Sequence, residues 1–191
     1  MKLYISLLLG ICFLVMSSTS VSAQDKKPRK SPKASVSQTI GLDTKIEIVF
    51  GRPGVKGREI WGKLVPYGLQ KNEDGAGEVP WRGGANENTT IEFNKPVKVE
   101  GNDLPAGKYG MHFIPGQNEW TVIFSKNNSA WGSGDYKEAD DALRVKVTPK
   151  KAPQQEWLLY GFEDLADYSA TAYLHWAELK VPFKIQAAEN L

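Results

Sequence analysis

Apolar and polar residues alternate with a period of two along most of the chain beyond residue 34, and that pattern leaves few folds open. In Lys45 to Phe50, Ile46, Ile48 and Phe50 share one face, and Ile91 with Phe93 and Val97 with Val99 repeat the arrangement. Leu143, Val145 and Val147 alternate with Arg144 and Lys146. Near the C-terminus Ala172, Leu174 and Trp176 oppose Thr171, Tyr173 and His175, and then Leu179, Val181, Phe183 and Ile185 oppose Lys180, Pro182, Lys184 and Gln186. Successive side chains of a strand point to opposite faces, so each run has one buried and one wet face, the signature of antiparallel sheets. Turn-forming clusters separate the runs: GLD at 41–43, EGNDLPAG at 100–107, PGQNE at 115–119 and SKNNSAWGSGD at 125–135. About nine or ten strands are expected, with at most one short helix near Tyr136 to Ala142. The predicted fold is all-β, an antiparallel β-sandwich of jelly-roll type. Pro182 cannot donate to a ladder, which places the last strand at an edge.

The first segment has the features of an export signal. Lys2 supplies a positive end, Leu3 to Met16 is an almost unbroken apolar run, and Val21-Ser22-Ala23 offers small residues for cleavage after Ala23. The run falls short of the about 20 residues that span a bilayer comfortably, so a retained anchor is the less favoured reading and no stable membrane span is expected after cleavage. Cys12, the only cysteine, follows Ile11 rather than a small residue, a poor context for lipid attachment. The expected product is a cysteine-free chain from Gln24 to Leu191, periplasmic or secreted, whose stability comes from its core alone. Three parts follow: a signal peptide over 1–23, a flexible basic leader over 24–33, and one β-sandwich domain over 34–187.

The basic surplus of the whole chain is misleading. Lys2, Lys26, Lys27, Arg29, Lys30 and Lys33 all precede residue 34 and only Asp25 opposes them, so the body is left mildly acidic. A body of that charge lacks the concentrated positive face that nucleic acid requires. The Lys-, Pro- and Ser-rich leader reads as a solvated spacer.

Chemistry-bearing residues gather between Gly51 and Asn86. Arg52 precedes Pro53, which biases it to extended backbone. Arg58 follows in GVKGRE, and Trp81-Arg82 leads into Gly83, Gly84, Ala85 and Asn86. Arg52, Arg58, Trp81, Arg82 and Asn86 are therefore the candidate ligand-binding residues. Guanidinium forks bind carboxylate or phosphate bidentately, and a turn of small residues can expose successive N–H groups to an anion. The competing reading is that the arginines pair with Glu59, Glu87 or Asp103 to brace long loops. Of the six tryptophans, Trp120, Trp157 and Trp176 lie in strands and belong to the core. Trp81 and Trp131 lie in loops, where they fill a sandwich end or stack on a sugar.

Catalytic signatures are thin. His112 and His175 occupy separate strands without metal-ligand spacing, no metal site or cofactor is implied, and Gly132-Ser133-Gly134 lacks the strand–elbow–helix setting of a hydrolase nucleophile. Catalytic residues stay unknown, and His112 reads by default as a satisfied buried imidazole. Asp140-Asp141 reads as a turn cap.

Six segments in fixed order carry a resemblance: GRPGVKGREIWGKLVPYG, WRGGANENTTIEF, LPAGKYGMHFIP, EWTVIFSK, WGSGDY and DALRVKV. The chain resembles the domain-of-unknown-function family numbered 2911 over about residues 32 to 186. The resemblance implies an exported bacterial protein and carries no activity. LQKNEDGAGEVP, between Gly68 and Trp81, departs from the family's short link and is expected to be a mobile loop bordering any site made by Arg82 and Asn86. Three functions remain open at this point: a non-catalytic envelope module binding an anionic small molecule or glycan, a structural protein braced by its arginines, and an uncharacterised hydrolase.

Overall fold

A computed structural model describes residues 27–72, 75 and 77–188. The segment expected to be an export signal, 1–23, lies outside the described residues. Twelve strands are present among them: β1 (Lys33–Ile40), β2 (Thr44–Gly51), β3 (Gln70–Lys71), β4 (Glu78–Val79), β5 (Thr89–Phe93), β6 (Val97–Val99), β7 (Asn102–Leu104), β8 (Gly107–Ile114), β9 (Trp120–Ser125), β10 (Asp141–Val147), β11 (Lys150–Ala166) and β12 (Ser169–Ala187). The one helical element among the described residues is a 3₁₀ turn at Glu138–Asp140, inside the segment where a short helix was expected. No helix of the described residues is long and apolar enough to cross a membrane.

The fold is the antiparallel β-sandwich that the alternation predicts. One sheet has the order β1-β2-β5-β8-β9-β10, the other β11-β12-β6-β7, and β3-β4 form a small separate hairpin. The sheets meet face to face: Phe124 of β9 lies 6.2 Å from Phe183 of β12, and Phe50 of β2 lies 4.8 Å from Tyr160 of β11. The jelly-roll expectation holds at the level of two packed antiparallel sheets. Within the larger sheet the order is that of a meander, in which the chain leaves twice, for β3-β4 and for β6-β7, and returns to the next position.

Pro182 does not mark an edge strand. β12 lies between β11 and β6. Its ladder with β11 runs as far as the Lys150–Lys180 pair, and its ladder with β6 starts at Ile185–Val99. Pro182 sits between the two ladders, where a missing N–H breaks neither. The two C-terminal runs also prove to be one strand. Buried positions are even-numbered up to Trp176 and odd-numbered from Val181 onward. The switch falls at Ala177, whose φ of 49° is left-handed and which pairs with Gln155 between two register shifts. An extra residue at a bulge reverses the parity of every later side chain, which keeps both halves facing the core.

The chain ahead of β1, by composition a solvated spacer, meets the body at several points. Arg29 Nη1 donates to both carboxylate oxygens of Glu87 at 2.7 and 3.0 Å, the Ser31 carbonyl accepts from Asn86 Nδ2 at 3.3 Å, and the Pro32 carbonyl accepts from Arg52 N at 2.8 Å.

Candidate functional site

The end of the sandwich beyond Gly51 is organised by tryptophans. Trp61 stands edge-on to Trp81, Trp120 and Trp176, with ring centres 5.8, 5.1 and 5.8 Å away, while Trp81 and Trp176 stack at 6.1 Å. Trp120 and Trp176 are fully enclosed, as expected for strand tryptophans, while Trp157 is only half-buried. Trp81, expected in a loop, is buried because it bridges to β8: its N–H donates to the Phe113 carbonyl at 2.8 Å and its own carbonyl accepts from Phe113 N at 2.7 Å. The indole Nε1–H groups of Trp61, Trp120 and Trp176 are buried without an acceptor.

Trp81 starts the turn that carries Arg82 and Asn86. Gly83 has φ 62°, and a Cβ there would collide with the Phe113 ring and lie 2.5 Å from the Tyr160 hydroxyl. Its carbonyl accepts from Tyr160 Oη at 2.8 Å and from Thr89 Oγ1 at 3.2 Å. Burial pushes the Tyr160 phenol well above its ordinary pKa, so it stays a donor. Gly84 is also tight, since a Cβ there would lie 2.8 Å from Thr89 Oγ1. These glycines are buried and permit close packing, and the exposed N–H cradle expected of them is not what they provide. Asn86 takes the left-handed φ of 68° that ends the turn, a region asparagine enters more readily than most residues.

Four of the five candidate residues converge. Arg58, Trp81, Arg82 and Asn86 line one cavity of about 310 Å³. Ser31, Gln70 and Trp176 complete much of its wall. The volume is at the lower end of small-molecule sites. Arg52 is not part of this lining. It is half-buried, and its Nε donates to the Leu158 carbonyl at 2.9 Å, which ties the 52–55 segment to β11 beside the Leu158 N to Pro53 O bond of 3.0 Å. Arg82 Nη1 donates to the Asn86 carbonyl at 2.8 Å, within its own turn. Arg58 donates from Nη2 to Gly54 O at 2.6 Å and from Nε to Val55 O at 3.1 Å, and it is exposed. Among the described residues no carboxylate pairs with Arg52 or Arg58. Two of the three partners that the bracing reading offered are elsewhere: Glu87 holds Arg29, and Asp103 holds Lys98 at 2.7 Å.

Behind this wall His112 is buried, its Nδ1 3.1 Å from Ser133 Oγ and its ring 5.2 Å from Tyr136. Burial first, and the charge of Arg82 second, lower its pKa from 6.5 to about 4, so it is neutral at ordinary pH. Tyr136 donates to Asp141 Oδ2 at 2.8 Å, and burial with that carboxylate pushes its pKa up to about 12. Asp141 caps the 3₁₀ turn through its backbone N–H to Glu138 O, as expected, while its side chain anchors a tyrosine and Arg144 Nε, the latter at 2.6 Å. His175 Nε2 donates to the Pro153 carbonyl at 2.9 Å. No group of three or more metal-ligating side chains occurs among the described residues.

Compared with known families, residues 31–185 match the model described as protein of unknown function DUF2911. The chain belongs to the DUF2911 family. The comparisons with curated proteins and with solved structures gave no match. In this DUF2911 protein the segment between Gly68 and Trp81 is a short hairpin, anchored by Gly68 N to Pro115 O at 2.7 Å and by buried Val79. It borders the cavity through Gln70; residues 73, 74 and 76 at its tip lie outside the described residues. Sequence reasoning did not single out Ser31 or Gln70 as wall residues. Gln70 belongs to the inserted segment that was expected to border the site, which was its signal, and Ser31 had none. A second cavity of about 450 Å³, between Leu42, Lys95 and Tyr168, contains none of the candidate residues, and Lys95 there is neutralised by Asp43 at 2.5 Å.

Proposed function

We propose that the protein is an exported, non-catalytic envelope module that binds an anionic small molecule or glycan in the cavity lined by Arg58, Trp81, Arg82 and Asn86. The observation that carries this reading is the state of Arg58. Two backbone carbonyls hold its guanidinium at the cavity without cancelling its charge, and no carboxylate pairs with it among the described residues. A cation so fixed attracts a carboxylate or phosphate and loses little freedom on binding it. The sequence features of an export signal support placement outside the cytoplasm.

The bracing reading keeps the bond from Arg52 to Leu158 and the bond by which Arg82 closes its own turn onto the Asn86 carbonyl. The hydrolase reading has little support, since neutral, enclosed His112 contacts a serine hydroxyl within the core. A thermal-shift screen with uronic acids, phosphates and short glycans tests the proposal. A ligand at 100 times its dissociation constant raises stability by about 2.7 kcal/mol, and Arg58→Ala should abolish the shift. No shift with any member of the panel rejects the reading.

A further inference from the structure

We infer that the cavity is the inner part of a longer site for an acidic oligosaccharide, and that Trp131 is the platform on which a neighbouring sugar ring stacks. The inference rests on the binding role proposed for the cavity. Trp131 is 63% exposed, whereas Trp81, Trp120 and Trp176 are 6%, 0% and 1% exposed. No other aromatic ring lies against it among the described residues. Single exposed apolar residues are common on protein surfaces; what sets Trp131 apart is that the backbone carrying it is fixed, so that its indole is presented from a held position.

The backbone around Trp131 is held on both sides. Asn88 N donates to the Ala130 carbonyl at 3.1 Å, and Trp131 itself forms a backbone bridge with Glu87. Gly132 and Ser133 are buried, and the serine hydroxyl meets His112 Nδ1 at 3.1 Å. Gly132, at φ 75°, lies against the Arg82 guanidinium so closely that a Cβ would sit 2.8 Å from Arg82 Cζ. That contact joins the two features. Arg82 forms part of the cavity wall, and the exposed tryptophan adjoins the Gly132 that packs on it, so Trp131 stands one residue from a group of that wall.

The combination selects a ligand class. A sugar ring presents C–H faces that stack on an indole and hydroxyl groups that exchange hydrogen bonds with amides such as Asn86 and Gln70. A carboxylate on a neighbouring ring uses the Arg58 fork. Inorganic phosphate has no use for the indole, and a neutral apolar ligand has none for the arginine. A chain of uronic acid residues uses both.

The test is titration calorimetry of the whole exported chain with galacturonic acid, trigalacturonic acid and the neutral maltotriose. The trisaccharide acid should bind about tenfold tighter than the monomer, a difference that corresponds to about 1.4 kcal/mol. Trp131→Ala should reduce its affinity to that of the monomer, and Trp131→Phe should retain part of the gain. Equal affinity for acidic monomer and trimer, or a trimer affinity unchanged by Trp131→Ala, overturns the stacking platform. If monomer binding then still depends on Arg58, the proposed cavity function survives. Maltotriose binding as tightly as trigalacturonate overturns the acidic ligand class. Failure of both acids to bind while phosphate still gives an Arg58-dependent thermal shift overturns the inference alone; failure of both acids with no shift from any member of the panel overturns the reading beneath it as well.

Discussion

Arg52 and Arg58 stand six positions apart in one glycine- and proline-broken segment, and the fold places them in opposite surroundings. Around Arg52 the chain is pinned: Pro53 O and Val55 N bond to β11, Gly51 lies against the Ala85 carbonyl with no room for a Cβ, and the guanidinium closes onto Leu158. Around Arg58 the chain turns outward through Lys56 at φ 49° and Gly57 at φ 69°, and the side chain is exposed above a cavity. Two arginines that look alike in sequence thus differ in what supports them. A buried partner on another strand makes one a brace, while the other, bonded only within its own turn and exposed, is the one for which a binding role is proposed.

Four experiments break or sharpen that contrast. The largest effect is expected on the pinned side, at Gly83. Gly83→Ala forces a methyl into the Phe113 ring and the Tyr160 hydroxyl at a left-handed φ, and should cost about 3 kcal/mol or more in chemical denaturation. A variant as stable as the parent would show that the turn is not packed as described.

Next comes acid. The folded pKa of His112 lies below the unfolded one, so the unfolded chain takes up the proton first. The stability contributed by the neutral imidazole is complete above 6.5 and is lost as pH falls from 6.5 toward about 4. The loss is on the order of 3 kcal/mol, and it should flatten in His112→Gln, measured as denaturation midpoints across that range. An unchanged slope in the variant would assign the acid sensitivity to other groups.

Arg52→Ala should then cost about 2 kcal/mol, since it strips the Leu158 carbonyl of a charged donor in a half-buried place. Arg58→Ala, at the far end of the scale, should stay within about 0.5 kcal/mol of the parent in stability while binding of any uronate is lost. Equal losses of stability in the two variants would erase the contrast and leave both arginines as braces.

Much of the architecture was legible in the chain. Alternation in β2, β5 and β10 located strands to within a residue or two, because a half-buried antiparallel strand imposes its period directly on side-chain polarity. The strand parity broke down where backbone geometry intervened: the bulge at Ala177 disguised one long strand as two, and Pro182 looked like an edge mark because the gap between two ladders leaves no trace in local sequence. Within the candidate site, Arg58, Trp81, Arg82 and Asn86 were found by residue type and converge on one cavity. The bond from Arg52 to Leu158 was illegible, since it joins a side chain to a backbone carbonyl 106 positions away and any residue supplies a carbonyl. Gly83 and Gly84 were misread for a related reason: a glycine demanded by a distant tyrosine looks the same as one demanded by an anion.

The contact of Arg29, Ser31 and Pro32 with the turn around Asn86 and with Arg52 gives the molecule a direction. The chain enters beside the cavity, runs along β1, and reaches Gly41 where Tyr168 and Ala187 gather, at the opposite end of the strand. Eight residues of strand separate these ends by roughly 27 Å. A support gripping the N-terminal segment therefore holds the cavity mouth toward itself, and one gripping the chain after Ala187 turns the mouth outward. Sensor surfaces, labels and fusion partners attached at the two ends would meet opposite poles of the same sandwich.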